Sequence, residues 1–240
     1  MPLKKKENLS LPDTDTMHKD LQNYLKPTFF LDYDTKELAD FATTVCSGSD
    51  TPAEKAIALY YAVRDQVNYD PYDLKYSRTA MKASSILQKK SGYCVSKAVL
   101  LAAVARHRQI PSRLGFADVT NHLSTAKLRE RMGTDLFIYH GYTEMYLNGK
   151  WVKATPAFNL SLCIRFNVKP LEFDGTKDSI FHECNTLGQK HMEYVRDHGH
   201  FADLPFEEIF AAYGKTYPKF FEHFGGGQAN DFSAEAAAEV

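Results

Sequence analysis

The stretches SGYCVSKAVLLAAVARHRQIPSR (residues 91–113) and FIYHGYTEMYLNGKWVKATPAFN (residues 137–159) decide how this 240-residue chain is read. The first is a helix that is apolar on most faces: Val95, Ala98, Val99, Leu100, Leu101, Ala103 and Val104. Such a helix belongs at the centre of a domain. Ser91 is read as its N-cap, Gly92 as the residue that turns the chain into it, and Cys94 as a member of its first turn. The first turn of a helix offers unpaired N–H groups and the positive end of the macrodipole. Both favour a thiolate, the reactive form of cysteine. Cys94 is therefore a candidate nucleophile. A small buried apolar side chain is the plainer role for a free cysteine.

The second stretch supplies a candidate base. Asn148-Gly149 is a two-residue hairpin signal, which puts residue 147 opposite residue 150. Extended along the strands, that register places His140 opposite Ala157 and Tyr142 opposite Thr155. Thr155 then lies diagonal to His140, with Cβ atoms roughly 7 Å apart. Asn159 is the other diagonal neighbour if pairing continues past Pro156, a residue that cannot donate to a ladder.

In order and spacing these residues resemble the transglutaminase-like superfamily, which shares its catalytic layout with papain-like cysteine proteases. The resemblance rests on Gly92-Tyr93-Cys94, Ile110-Pro111-Ser112-Arg113, His140-Gly141-Tyr142-Thr143-Glu144 and Gly149-Lys150-Trp151-Val152. The upstream helix with Ala62-Val63-Arg64-Asp65-Gln66-Val67-Asn68-Tyr69-Asp70 is also similar to the family. The match runs from about residue 55 to residue 157.

The resemblance implies an α+β fold with a transglutaminase-like, papain-like core. N-terminal helices and a central Cys-bearing helix would pack on an antiparallel β-sheet. It implies a catalytic set of Cys94, His140 and Thr155, with Thr155 standing where the family usually carries an aspartate. A triad acid fixes the imidazole tautomer and stabilises the imidazolium. Threonine accepts a hydrogen bond but brings no charge. Three arrangements stay open: Thr155 orients His140, Asn159 does so, or the site is weak or inactive. The implied chemistry is acyl transfer or amide hydrolysis through an acyl-thioester on a peptide or protein amide. The alternative is a non-catalytic binding module on the same fold. Glu144 is structural by the same resemblance.

Composition bounds the rest. An apolar fraction of 44% suits one globular domain. A net charge of −1 gives no electrostatic case for nucleic acid or membrane. No apolar run is long enough for a membrane span. Four cysteines without a CxxC point to free thiols and a cytoplasmic location. No cofactor motif is present. His182, Cys184, His191, His198 and His200 are metal-capable types, but their spacing matches no zinc pattern, so structural and surface roles are expected and no metal.

The domain is expected over 17–224, between flexible tails at 1–16 and 225–240. Within it, helices are expected at Thr35–Cys46, from the Thr51-Pro52-Ala53-Glu54 capping box to Val67, from Ser84 to Lys90, and over 205–213. Arg113–Val119 reads as a strand and 120–134 as a flap or short helix. The aromatic loop 68–80 holds Tyr69, Tyr72 and Tyr76, which either line a cleft near the thiol or simply pack.

Overall fold

The computed structural model describes residues 20–122, 124–180, 192–222, 232, 234 and 235. After a helical turn at 20–23 come α1 (Lys36–Val45) and α2 (Pro52–Gln66). The capping box opens α2 as its sequence requires. Thr51 Oγ1 accepts from the Glu54 N–H at 3.2 Å, and Glu54 Oε2 accepts from the Thr51 N–H at 2.9 Å. Two N–H groups that the helix cannot satisfy internally are thereby paired.

Helix α3 (Ala83–Lys89) leads to the central helix α4 (Cys94–His107). Every residue from Cys94 to Arg106 is buried, which explains why this helix needs no polar face. Full burial of each of its larger aliphatic side chains contributes about 1.5–3 kcal/mol. The N-cap is Tyr93, not Ser91, and it makes no side-chain cap. Ser91 and Gly92 instead form a short strand, β2 (Ser91–Gly92), parallel to β1 (Asn68–Tyr69). Their backbone groups are committed to that pairing, so Ser91 is too far back to cap. Gly92 is glycine because of a close approach: an added Cβ would lie 2.3 Å from Ser96 Oγ.

A four-stranded antiparallel sheet packs on α4. Its strands are β3 (Ser112–Asn121), β4 (Leu136–Leu147), β5 (Lys150–Ala154) and β6 (Met192–Phe201), in the order β5-β4-β3-β6. Asn148 and Gly149 both have positive φ (50° and 84°), the geometry of a type I′ turn. The ladder pairs Leu147 with Lys150 and runs to Thr143 opposite Ala154. It stops there. The Thr155 N–H turns away to Ser179 O at 2.8 Å. The extrapolated pairing of Tyr142 with Thr155 and His140 with Ala157 is thus not formed. Pro156 lies next along the chain, and the segment around Ser179 takes the backbone bonds instead.

The flap region folds as α5 (Ala126–Met132), capped by Thr125 Oγ1 and closed by Gly133 at φ 71°. After β5 come α6 (Leu160–Arg165), α7 (Phe206–Thr216) and α8 (Pro218–Glu222). The fold is α+β, with helices and an antiparallel sheet arranged as the resemblance implied. The expected tail at 1–16 lies outside the described residues, as does most of 225–240. Within the latter, Phe232 is buried against Tyr69, Tyr72 and Phe166.

Candidate active site

Cys94 is the first residue of α4, and the sheet reaches it through one glycine. An added Cβ at Gly141 would lie 2.8 Å from Val95 Cα. Only a residue without a side chain lets β4 approach the start of α4 this closely. His140, the neighbour of Gly141, then lines the same pocket as Cys94. A second tie, from Thr143 Oγ1 to Ala98 O at 2.8 Å, holds strand to helix one turn further on.

The strand is irregular just before the histidine. Ala117 pairs with His140, but Val119 pairs with Phe137, so β4 carries an extra residue opposite Asp118. Bulges of this kind re-aim side chains beside sites. Tyr139 sits in it at φ 51°, a conformation costly for a bulky residue. Asp118 holds it in place: Oδ1 accepts from the Tyr139 N–H at 2.9 Å. The same carboxylate oxygen lies 2.6 Å from His198 Nε2, and the His198 ring stacks on Tyr139 with centroids 3.9 Å apart.

The pocket holds about 460 Å³ of open space out to its mouth. Tyr69, Pro71, Leu74 and Tyr93 form one wall, Leu128 and Met132 of α5 another, and Phe137 and Ile138 a third. Tyr213, Tyr217 and Phe220 close it from α7, α8 and the link between them. Tyr217 is fixed by its hydroxyl, which accepts from the Ile138 N–H at 2.6 Å and donates to Leu136 O at 2.9 Å. Of the three loop tyrosines, Tyr69 lines the pocket. Tyr72 packs on Phe220 and Phe232, and Tyr76 packs on Phe206 and Phe210.

Under this roof Cys94 is only 8% exposed. Burial pushes its thiol up to about 11, while the backbone N–H groups of Gly141, Val95 and Cys94 itself pull the other way. The expectation of a lowered pKa at the helix start is corrected here. Desolvation in a closed apolar pocket outweighs three N–H dipoles.

Thr155 does not line the pocket. Its carbonyl accepts from Tyr60 OH at 3.2 Å, and its buried Oγ1 has no hydrogen-bond partner among the described residues. Asn159 also lies outside it. Its Oδ1 accepts from the Tyr69 N–H at 3.0 Å, and its Nδ2 donates to Ser161 Oγ at 2.7 Å. It therefore braces a pocket wall. Glu144 forms an ion pair with its cross-strand neighbour Arg113. Of the metal-capable cluster, His182, Cys184 and His191 lie outside the described residues. Among the described residues no three metal-capable side chains converge. Cys46, Cys94 and Cys163 are free thiols. No helix among the described residues is long and apolar enough to cross a membrane.

Two residues that support the site escaped the sequence reading. One is Asp118. The other is Lys97, a fully buried lysine one turn after Cys94. Its Nζ donates to Arg64 O at 2.9 Å, Val67 O at 2.6 Å and Ala157 O at 2.7 Å. A lone lysine in an otherwise apolar helix was the available signal.

Residues 39–156, which carry both Cys94 and His140, match the sequence model of the transglutaminase-like superfamily. The match assigns residues 39–156 to the transglutaminase-like superfamily. The segment ends just past Thr155, so α6, β6, α7 and α8 lie outside it. No curated protein matches the chain. Among solved structures it is similar to a candidate cysteine protease of Cytophaga hutchinsonii, with TM-score 0.45 and 22% identity over 57% of this chain and 42% of that one. It is also similar to a candidate protease of Parabacteroides distasonis, with TM-score 0.37 and 18% identity over 63% of this chain and 28% of that one. The chain thus spans less than half the length of either.

Proposed function

We propose that the protein is a cysteine-dependent hydrolase or acyltransferase that works through an acyl-thioester on Cys94. The observation that carries this reading is the joint placement of Cys94 and His140 in one pocket, with Gly141 pressed against the start of α4. His140 takes the thiol proton as the sulfur attacks a carbonyl carbon. The amine leaves with that proton, and the acyl group stays on sulfur. Water, or a second amine, then attacks the thioester and releases Cys94. The N–H groups of Cys94, Val95 and Gly141 that face the sulfur are suited to hold the oxyanion. The substrate is a peptide or other amide, and hydrolysis is favoured over cross-linking.

Thr155 is the third member on this reading. It brings no charge, and its hydroxyl has spare capacity. The test is acid-quenched mass spectrometry after mixing with an activated amide or ester. An acyl adduct on Cys94, absent from Cys94→Ala and reduced in His140→Ala, supports the reading. Wild-type protein with no adduct sinks it. A second reading, a binding module on the same fold, draws on the threonine at the acid position and on the protonated thiol. It predicts ligand binding that Cys94→Ala leaves unchanged.

A further inference from the structure

We propose that the Cys94 pocket takes an uncharged aromatic or aliphatic acyl group, and that the helices following the family segment set this selectivity. The inference rests on the acyl-thioester reading and names its substrate class.

Apart from Cys94 and His140, every lining residue among the described residues is aliphatic, aromatic or proline. Among the described residues no Asp, Glu, Lys or Arg lines it. The polar atoms on offer are tyrosine hydroxyls, and burial pushes the phenols of Tyr69, Tyr93, Tyr213 and Tyr217 upward, so they stay neutral. One of them, Tyr217, already spends its hydroxyl on the β4 backbone. An ammonium entering here would lose its water and find no carboxylate among the described lining residues, and a carboxylate would find only His140, which the reaction needs as its base. A ring or a branched alkyl chain would replace poorly held water with dispersion contacts.

The roof is what makes the pocket exclusive. Tyr213, Tyr217 and Phe220 lie beyond residue 156, outside the segment shared with the superfamily. The shared core supplies the thiol and the imidazole. The added helices supply the apolar lid that a substrate must fit beneath.

The experiment uses three chloroacetamides that differ only in the amide substituent: N-benzyl, N-carboxymethyl and N-(2-aminoethyl). Rates of Cys94 modification are read by peptide mapping and divided by each probe's rate with glutathione. The benzyl probe is expected to exceed both charged probes by about tenfold or more. Phe220 lines the pocket from α8 and is 9% exposed, so Phe220→Arg is expected to move the ratio of carboxymethyl to benzyl rates upward by about tenfold. Phe220→Ala should slow the benzyl probe without that reversal, and melting curves confirm that both variants are folded. Phe137→Arg, inside the family segment, is the comparison: a shift there with none at Phe220 overturns the assignment to the added helices. Equal normalised rates for the three probes on wild-type protein overturn the selectivity while leaving the nucleophile in place. Modification of Cys94 by none of them, with the thiol shown free after unfolding, overturns both.

Discussion

Gly141 and Val95 touch so closely that no methyl group fits between them: a Cβ on Gly141 would lie 2.8 Å from Val95 Cα. The contact is backbone to backbone, so no rotamer change relieves it. Gly141→Ala must push β4 off the start of α4, and His140 moves with the strand. The expected cost is about 1–3 kcal/mol of stability from overpacking and roughly a hundredfold in acylation rate from misplacement of the base. Gly214 has no atom within 4 Å of an added Cβ, so Gly214→Ala is the control. Equal rates in the two variants would refute the argument.

Asp118 sets the geometry of the bulge through the Tyr139 N–H. Asp118→Asn keeps the shape but weakens the charge-assisted bonds. We expect acylation to fall about tenfold, with a smaller relative loss of stability. His198→Gln removes the stacked ring but leaves the carboxylate, and should cost less than Asp118→Asn. The comparison is made by single-turnover acylation alongside thermal melts. A larger rate loss for His198→Gln would transfer the role to the histidine.

The thiol makes a prediction about pH. Its folded pKa of about 11 lies above the ordinary thiol value of 9.0. The alkylation rate of Cys94 should therefore keep climbing past pH 9 and level off only near pH 11. The linkage has a definite sign. Between these values the unfolded chain ionises the thiol while the folded protein keeps the proton, so stability falls as pH rises through that window. Cys94→Ala removes this part of the slope, worth up to about 3 kcal/mol at full ionisation. Urea melts of both proteins at pH 8.5 and pH 10.5 check it. Parallel pH dependences would show that burial does not govern the thiol.

Lys97 offers three N–H donors to three carbonyls at the end of α2 and beyond β5. Lys97→Met keeps the volume and orphans all three acceptors. The expected loss is about 3–5 kcal/mol, which is a drop in melting temperature on the order of 10 °C for a chain of this size. A shift under about 2 °C would mean that water replaces the ammonium.

The parts of the fold that were legible in the sequence are those where local chemistry and burial agree. The capping box at Thr51 and Glu54, the all-apolar helix after Cys94 and the Asn148-Gly149 turn each dictate one structure. Strand β6 was missed for the opposite reason. Most of Met192–Phe201 is exposed and its register shifts twice, so it shows no alternation of apolar and polar residues. The pairing of Tyr142 with Thr155 failed because the hairpin register was carried past the end of its ladder. Nothing local announces that Ser179, well downstream in sequence, takes over the backbone bonds of residues 153 and 155. The raised thiol pKa was equally hidden. A helix start is visible in sequence, but the aromatic roof comes from residues more than a hundred positions away.

The Tyr217 hydroxyl grips β4 at Leu136 and Ile138, just ahead of the bulge that precedes His140. It does for this stretch of strand what a neighbouring strand would otherwise do. The residue that helps close the pocket therefore also ties down the strand that carries His140. Wall and base share one anchor, so a substitution at Tyr217 reaches the imidazole through the backbone of β4 as well as through the cavity.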